Sequence, residues 1–201
     1  MIKSIVVYCG SNPGSNKVYA EQAFSLGQEL AERNIKVIYG GGNMGLMGKV
    51  ADGVLQNKGH VTGIITNFLA KLEIAHKQVS ELHFVETMHE RKAKMVASSD
   101  GVIALPGGFG TMDELFEILT WSQLRIFNGP IGVLNTNGFY DFLLMQLDKM
   151  VQEGFLRPEN RDLVIVDSDI QQLINRLEAS QKNQTENKTL DHTLYVNKDS
   201  Q

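Results

Sequence analysis

Leu105-Pro106-Gly107-Gly108-Phe109-Gly110-Thr111-Met112-Asp113-Glu114 is the stretch on which the fold of this chain turns. It follows a short apolar run, Gly101 to Leu105, with the composition of a buried strand. It leads into Leu115 to Trp121, with the composition of a helix. A strand, a glycine-rich turn and a helix start make a phosphate-binding arrangement. The first-turn N–H groups lack intrahelical acceptors, and the helix dipole adds partial positive charge there. Glycines let a phosphate reach the backbone without a Cβ in the way. The acidic pair Asp113-Glu114 gains nothing beside a bound anion, so it points to chemistry done next to the phosphate.

Working outward, apolar strand-like runs alternate with helical patterns. Strands are predicted at Ile5 to Tyr8, Ile35 to Tyr39, Val61 to Ile65, His83 to Val85, Val102 to Leu105, Ile131 to Leu134 and Leu163 to Val166. Helices are predicted over Lys17 to Arg33, Gly45 to Lys58, Met88 to Ser98, Met112 to Phe127, Tyr140 to Glu153 and Ile170 to Ala179. Repeated β-then-α units with short loops imply an α/β, three-layer Rossmann-like fold: a mostly parallel sheet of about seven strands, helices on both faces. The runs at 102–105 and 163–166 are apolar throughout, as expected of strands covered on both sides. Ligands in such folds sit at the carboxyl ends of the strands. Three glycine-rich segments end strands here, 9–14, 40–45 and 106–110, and are expected to meet at one rim.

The length of 201 residues fits one catalytic domain, read as 1–180, with a polar and mobile tail over 181–201 and a short strand at Thr193 to Val196. A net charge of -4 argues against bulk binding of nucleic acid. The single cysteine, Cys9, fits a reducing compartment, and no run suggests a signal peptide or a membrane span. The expectation is a cytoplasmic protein without membrane or nucleic-acid partners. No clustered His/Cys pattern suggests a metal, and no cofactor is expected.

Each motif has a bland reading beside the sharp one. Gly40-Gly41-Gly42-Asn43-Met44-Gly45 matches G-x-G-x-x-G, but after the second strand. Ile64-Ile65-Thr66-Asn67 stands where a ribose-binding acid should be. Phosphate or sugar contact by Gly41, Gly42 and Gly45 is placed ahead of a tight packing turn, and nicotinamide binding behind both. Thr111-x-x-Glu114 also fits a capping box, which would explain both residues without catalysis but not the glycines before them. Met88-His89-Glu90-Arg91-Lys92 is either a solvated charged face or the source of an arginine for a phosphate or carboxylate. Ser11 and Asn12 are either turn residues or donors to a ligand. Met44, Met47, Met88 and Met95 read as gap fillers around a pocket.

Taken together, Pro106-Gly107-Gly108-x-Gly110-Thr111-x-x-Glu114 and Met88-His89-x-Arg91-Lys92 resemble the signature of the LOG (Lonely Guy) family of cytokinin riboside 5'-monophosphate phosphoribohydrolases. The resemblance extends to Cys9-Gly10-Ser11, to Tyr39-Gly40-Gly41-Gly42-x-x-Gly45-Leu46-Met47-Gly48, to Thr120-Trp121-x-Gln123-Leu124, to Pro130-Ile131-Gly132, to Gly138-Phe139-Tyr140 and to Glu153-Gly154-Phe155. It covers roughly Ile5 to Ser168. It implies hydrolysis of the N-glycosidic bond of an adenosine 5'-monophosphate, plain or N6-prenylated, to free base and ribose 5-phosphate. By matching position it implies a catalytic pair, Arg91 and Glu114. Substrate contacts would come from Glu73, Arg91, Lys92, Gly108, Phe109, Gly110, Thr111, Met112, Asp113, Glu114 and Thr120. Asp113 stands where many members carry Glu. Members are often labelled lysine decarboxylases, a chemistry for which nothing in this sequence speaks.

In the mechanism these residues suggest, Glu114 stabilises positive charge on the ribose and activates water, while Arg91 keeps it ionised by lowering its pKa. The helix over 112–127 carries Trp121, Leu124, Ile126 and Phe127, more apolar surface than one core stripe needs. It is either fully buried or, as the resemblance implies, a homodimer surface. The rivals are a nucleotide or cofactor carrier of the same fold, an NAD-dependent oxidoreductase and a DNA-binding protein. A carrier needs the glycine loop but not the Arg91–Glu114 pair.

Overall fold

In the computed structural model, which describes residues 1–72 and 75–182, seven strands form a single sheet with every pairing parallel. The strands are β1 (Ser4–Tyr8), β2 (Lys36–Tyr39), β3 (Val61–Thr66), β4 (Glu81–Val85), β5 (Gly101–Ala104), β6 (Ile131–Leu134) and β7 (Val164–Asp167). Between them lie α1 (Lys17–Glu32), α2 (Gly45–Gln56), α3 (Asn67–Leu72), α4 (Met88–Ala97), α5 (Phe109–Gln123), α6 (Asp141–Gln152) and α7 (Pro158–Arg161). Residues 170–182 are helical and are called α8. All seven predicted strands are present, and α3 and α7 are additional to the predicted helices. The tail and the strand predicted at Thr193 to Val196 lie outside the described residues.

The spatial order is β4-β3-β2-β1-β5-β6-β7. The chain moves outward from β1 to β4, then crosses back to place β5 on the other side of β1. The order therefore reverses between β1 and β5, where a crevice opens at the strand ends.

Strand side chains alternate between two cores. On one face Ile5, Val7, Val37 and Ile103 pack with Leu26, Leu30, Val50, Val54, Leu173 and Ile174, which belong to α1, α2 and α8. On the other, Val6, Tyr8, Val102 and Val133 pack with Met95, Leu115, Ile118 and Leu147 from α4, α5 and α6. Burying a large apolar side chain contributes about 1.5–3 kcal/mol, so both layers reward an apolar residue at every position of a central strand. β5 is accordingly buried throughout. The run at 163–166 is different: β7 is an edge strand, buried at Val164 and only half buried beyond it. Its side chains still enter both cores, Val164 and Val166 on one face and Ile165 on the other, and the half burial comes from having no neighbouring strand on one side.

α5 starts three residues earlier than predicted, with Gly108 as its N-cap. Thr111 therefore lies inside the first turn and caps nothing. The capping box is found instead at the start of α4, where Thr87 accepts from the Glu90 N–H and Glu90 accepts from the Thr87 N–H.

Candidate active site

Three loops converge on one cavity at the strand ends. The loop after β1 is central and bonds to both neighbours: the Gly10 N–H donates to the Pro106 carbonyl at 3.0 Å, and the Gly10 carbonyl accepts from the Leu46 N–H at 3.0 Å. Tyr140, beyond β6, donates its hydroxyl to the Leu105 carbonyl at 2.6 Å and anchors the strand end before the glycine turn. The cavity they enclose has a volume of about 520 Å³, within the range of small-molecule sites. All three glycine-rich segments contribute to its lining, as expected.

The two glycine turns are not equivalent. At the start of α2, the N–H groups of Leu46 and Met47 both point to the Gly10 carbonyl, which removes them from a ligand's reach. Gly41 and Gly42 are buried, and neither they nor Gly45 line the cavity. Gly41 has φ 77° and lies so close to β3 that a Cβ would stand 3.0 Å from Ile65 Cβ, while a Cβ on Gly45 would overlap the Ser11 backbone. Close packing thus accounts for Gly41 and Gly45, and Gly42 is buried and bridged to Ala75, so none of the three faces the cavity, contrary to the preference for phosphate contact.

At the start of α5 the reverse holds. Gly108 supplies no side-chain cap, and the first intrahelical bond is donated by Met112. The N–H groups of Phe109, Gly110 and Thr111 thus have no acceptor within the helix. A Cβ on Gly108 or Gly110 would meet nothing within 4 Å, so packing inside the chain does not account for either glycine.

Arg91 and Glu114 meet within the cavity lining, with Nη1 donating to Oε1 at 3.0 Å. Relative exposures of 6% and 8% make this a buried ion pair. The arginine Nε also donates to the Ile64 carbonyl at 3.0 Å. Burial is the largest influence on Glu114 and raises its pKa to about 7; Arg91 pulls it down and Asp113 pushes it up. Arg91 acts in the expected direction, but desolvation of the carboxylate outweighs it, so the net shift of this carboxyl is upward.

Beside this pair Lys92 bridges α4 to α5, 3.0 Å from both Asp113 and Glu117. It is committed to those carboxylates and does not line the cavity. Of the other predicted site residues, Ser11, Gly108, Phe109, Gly110, Thr111 and Asp113 line the cavity with Arg91 and Glu114. Met112 and Thr120 lie instead along a shallow outer groove on α5, with Phe109, Asp113, Phe116, Glu117 and Trp121. Glu73 lies outside the described residues. Met47 and Met88 line the cavity as expected of gap fillers, while Met95 is wholly buried in the core and Met44 is exposed.

Tyr19, Phe139 and Leu69 complete the apolar wall. Sequence reading did not assign them to the site: Tyr19 and Leu69 lie on segments with no motif of their own, and Phe139 entered only as part of the Gly138-Phe139-Tyr140 match. The Tyr19 and Phe139 rings pack edge to face at 6.0 Å. Outside the cavity, α5 exposes Phe116 (37%) and the turn after it exposes Leu124 (61%) and Ile126 (65%). The alternative of a fully buried helix is thereby excluded. Among the described residues no helix is long and apolar enough to cross a membrane.

A family model described as "Possible lysine decarboxylase" matches residues 47–177. Two cytokinin riboside 5'-monophosphate phosphoribohydrolases of Arabidopsis thaliana are each 44% identical over 176 residues, which is 88% of this chain and 83% and 82% of theirs. Among solved structures, the Moco carrier protein from Chlamydomonas reinhardtii superposes with a TM-score of 0.68 at 17% identity, covering 91% of this chain and 99% of its own. The molybdenum cofactor binding protein from Rippkaea orientalis gives 0.66 at 22%, covering 89% and 98%. At such identities the two structures speak for the fold alone.

Proposed function

This chain belongs to the LOG family of cytokinin riboside 5'-monophosphate phosphoribohydrolases, and from that premise we propose that it hydrolyses the N-glycosidic bond of an adenosine 5'-monophosphate, N6-prenylated or plain. The observation that carries this reading is the buried Arg91–Glu114 pair in the lining of a cavity shared with an uncapped helix N-terminus.

The 5'-phosphate takes the free N–H groups at the start of α5, where the Gly108 and Gly110 backbone is open to it. That grip sets the ribose C1 against Glu114. As the C1–N bond breaks, its electron pair leaves with the base, which gains a proton, and the sugar acquires oxocarbenium character. The Glu114 carboxylate faces that charge and accepts a proton from the water whose oxygen bonds to C1. A carboxyl titrating at about 7 suits this work, since a base near the operating pH combines availability with driving force. Arg91 aims the carboxylate and offers its remaining N–H groups to a ribose hydroxyl.

The exposed apolar residues on α5 support a homodimer, which would bring the outer groove with Met112 and Thr120 beside a second copy. The single cysteine suits the cytoplasm. The test is incubation of purified protein with AMP and with isopentenyladenosine monophosphate, separating free base from nucleotide by chromatography. Base release abolished by Glu114→Ala is the expected result, and the ratio of rates names the substrate. Tight binding of both nucleotides with no release from either would make the protein a carrier.

A further inference from the structure

One glycine of the turn after β2 is not explained by that turn. Gly41 and Gly45 have positive φ angles. Gly40 does not, so an L-residue could take its backbone. A Cβ built on Gly40 would nevertheless overlap Nη2 of Arg91 and stand 2.9 Å from Met47 Sδ, and its three nearest neighbours are all side-chain atoms of these two residues. What a side chain at position 40 would displace first is the guanidinium.

We infer that Gly40 is a positioning residue for the reaction: its bare Cα is the seat against which the Arg91 guanidinium lies, so that the turn resembling a dinucleotide motif holds an arginine instead of a phosphate. The kinetic part of this inference rests on the hydrolase reading above. The seat has three sides. The Ile64 carbonyl within β3 fixes Nε, Glu114 on α5 fixes Nη1, and Gly40 just past β2 leaves room for Nη2. Two adjacent strands and a helix thereby hold one planar fork, and only the side at Gly40 depends on a missing atom.

Adding a methyl there requires a shift on the order of 1 Å, because non-bonded heavy atoms settle at roughly 3.5–4.0 Å. The fold tolerates the change, since no backbone atom stands among the nearest obstacles. The site does not, because a displacement of about 1 Å costs on the order of 100-fold in rate. The titratable groups around Glu114 are Arg91 and Lys92 from α4, Asp113 on its own helix and, from β1, Tyr8, whose phenol burial keeps neutral. Drawing Arg91 back leaves burial and Asp113 less opposed, so the Glu114 carboxyl must titrate at a higher pH.

The experiment compares wild type, Gly40→Ala, Gly40→Ala/Met47→Ala and Glu114→Ala for melting temperature and base release. Titration of the Glu114 carboxyl is followed by carbon-13 NMR in wild type and in Gly40→Ala. The expected Gly40→Ala protein melts near wild type, loses about 100-fold in kcat with a smaller change in KM, and titrates Glu114 at higher pH. Met47→Ala does not restore it. An unchanged Glu114 midpoint, a rate within about 3-fold of wild type, or recovery on removing Met47 overturns the inference. The NMR midpoint reads the contact whether or not the protein turns over. Absence of base release from wild type, or full activity in Glu114→Ala, would sink the hydrolase reading separately.

Discussion

The two helical layers are joined by opposite means. On one face α1 and α2 cross through glycines: a Cβ on Gly27 would overlap the Val50 carbonyl, and one on Gly53 would overlap the Phe24 carbonyl. The backbones touch, and no charge intervenes. On the other face α4 and α5 are joined by Arg91–Glu114 and by Lys92 between Asp113 and Glu117. Close backbone packing is rigid and chemically silent. Buried charges are a poor way to stabilise a contact, because desolvation offsets much of their attraction, yet they supply groups that can act on a substrate. On the proposed mechanism the scaffold occupies the glycine face and the chemistry the charged one, with the crevice between them.

This contrast can be broken from either side. The largest expected effect is on the charged face: Glu114→Ala should lower base release by ~100-fold or more, the usual scale for one positioned acid–base or electrostatic group, while the protein stays folded by circular dichroism. The glycine face should respond in the opposite currency. Gly53→Leu overpacks a backbone contact and should destabilise by about 1–3 kcal/mol, lowering Tm by ~2–4 °C per kcal/mol in a domain of this size. Activity per folded molecule at low temperature should hardly change; a selective loss of rate would remove the division between scaffold and chemistry.

A finer probe is pH. The proposed mechanism uses ionised Glu114, and burial raises its pKa to about 7, so kcat/KM should rise with pH through about 7 and then level. Lys92 lowers that pKa, so Lys92→Met should move the rise to higher pH; a shift downward would mean that Lys92 does not act on Glu114. The smallest effect belongs to the surface. Arg33, paired with Glu29 of α1, ties that helix to Asn175 and Glu178 of α8, and Arg33→Ala should alter stability by less than about 1 kcal/mol, as measured by urea denaturation, with no change in rate.

Much of this was legible in the residues. Seven apolar runs separated by helical patterns yielded seven strands, because a strand covered on both faces tolerates apolar residues everywhere and a helix shows a 3.6-residue stripe. Pro106 to Glu114 was legible as a candidate site because it joins a strand end to a helix start, whereas the segment of Arg91 stayed open between a charged face and a ligand contact and was assigned only through the family resemblance. The errors are also instructive. Thr111 and Glu114 match a capping box by spacing, and so do Thr87 and Glu90; only the position of the helix start, at Gly108 and Thr87 respectively, decides between them. Gly40–Gly45 and Gly107–Gly110 look alike in composition, but in one the helix N–H groups meet the Gly10 carbonyl and in the other they do not.

Local patterns thus settled the order of elements, the parallel sheet and the rim at which the glycine-rich loops meet, since these follow from periodicity and from the handful of ways to cover a sheet. Three matters were left to tertiary structure: which glycine loop is open, which charges pair, and which way the Glu114 pKa moves. Each depends on distances between segments far apart in the chain, such as Gly10 to Leu46 or Arg91 to Glu114, and on how much water the assembled layers exclude. Neither is a property of any stretch of sequence alone.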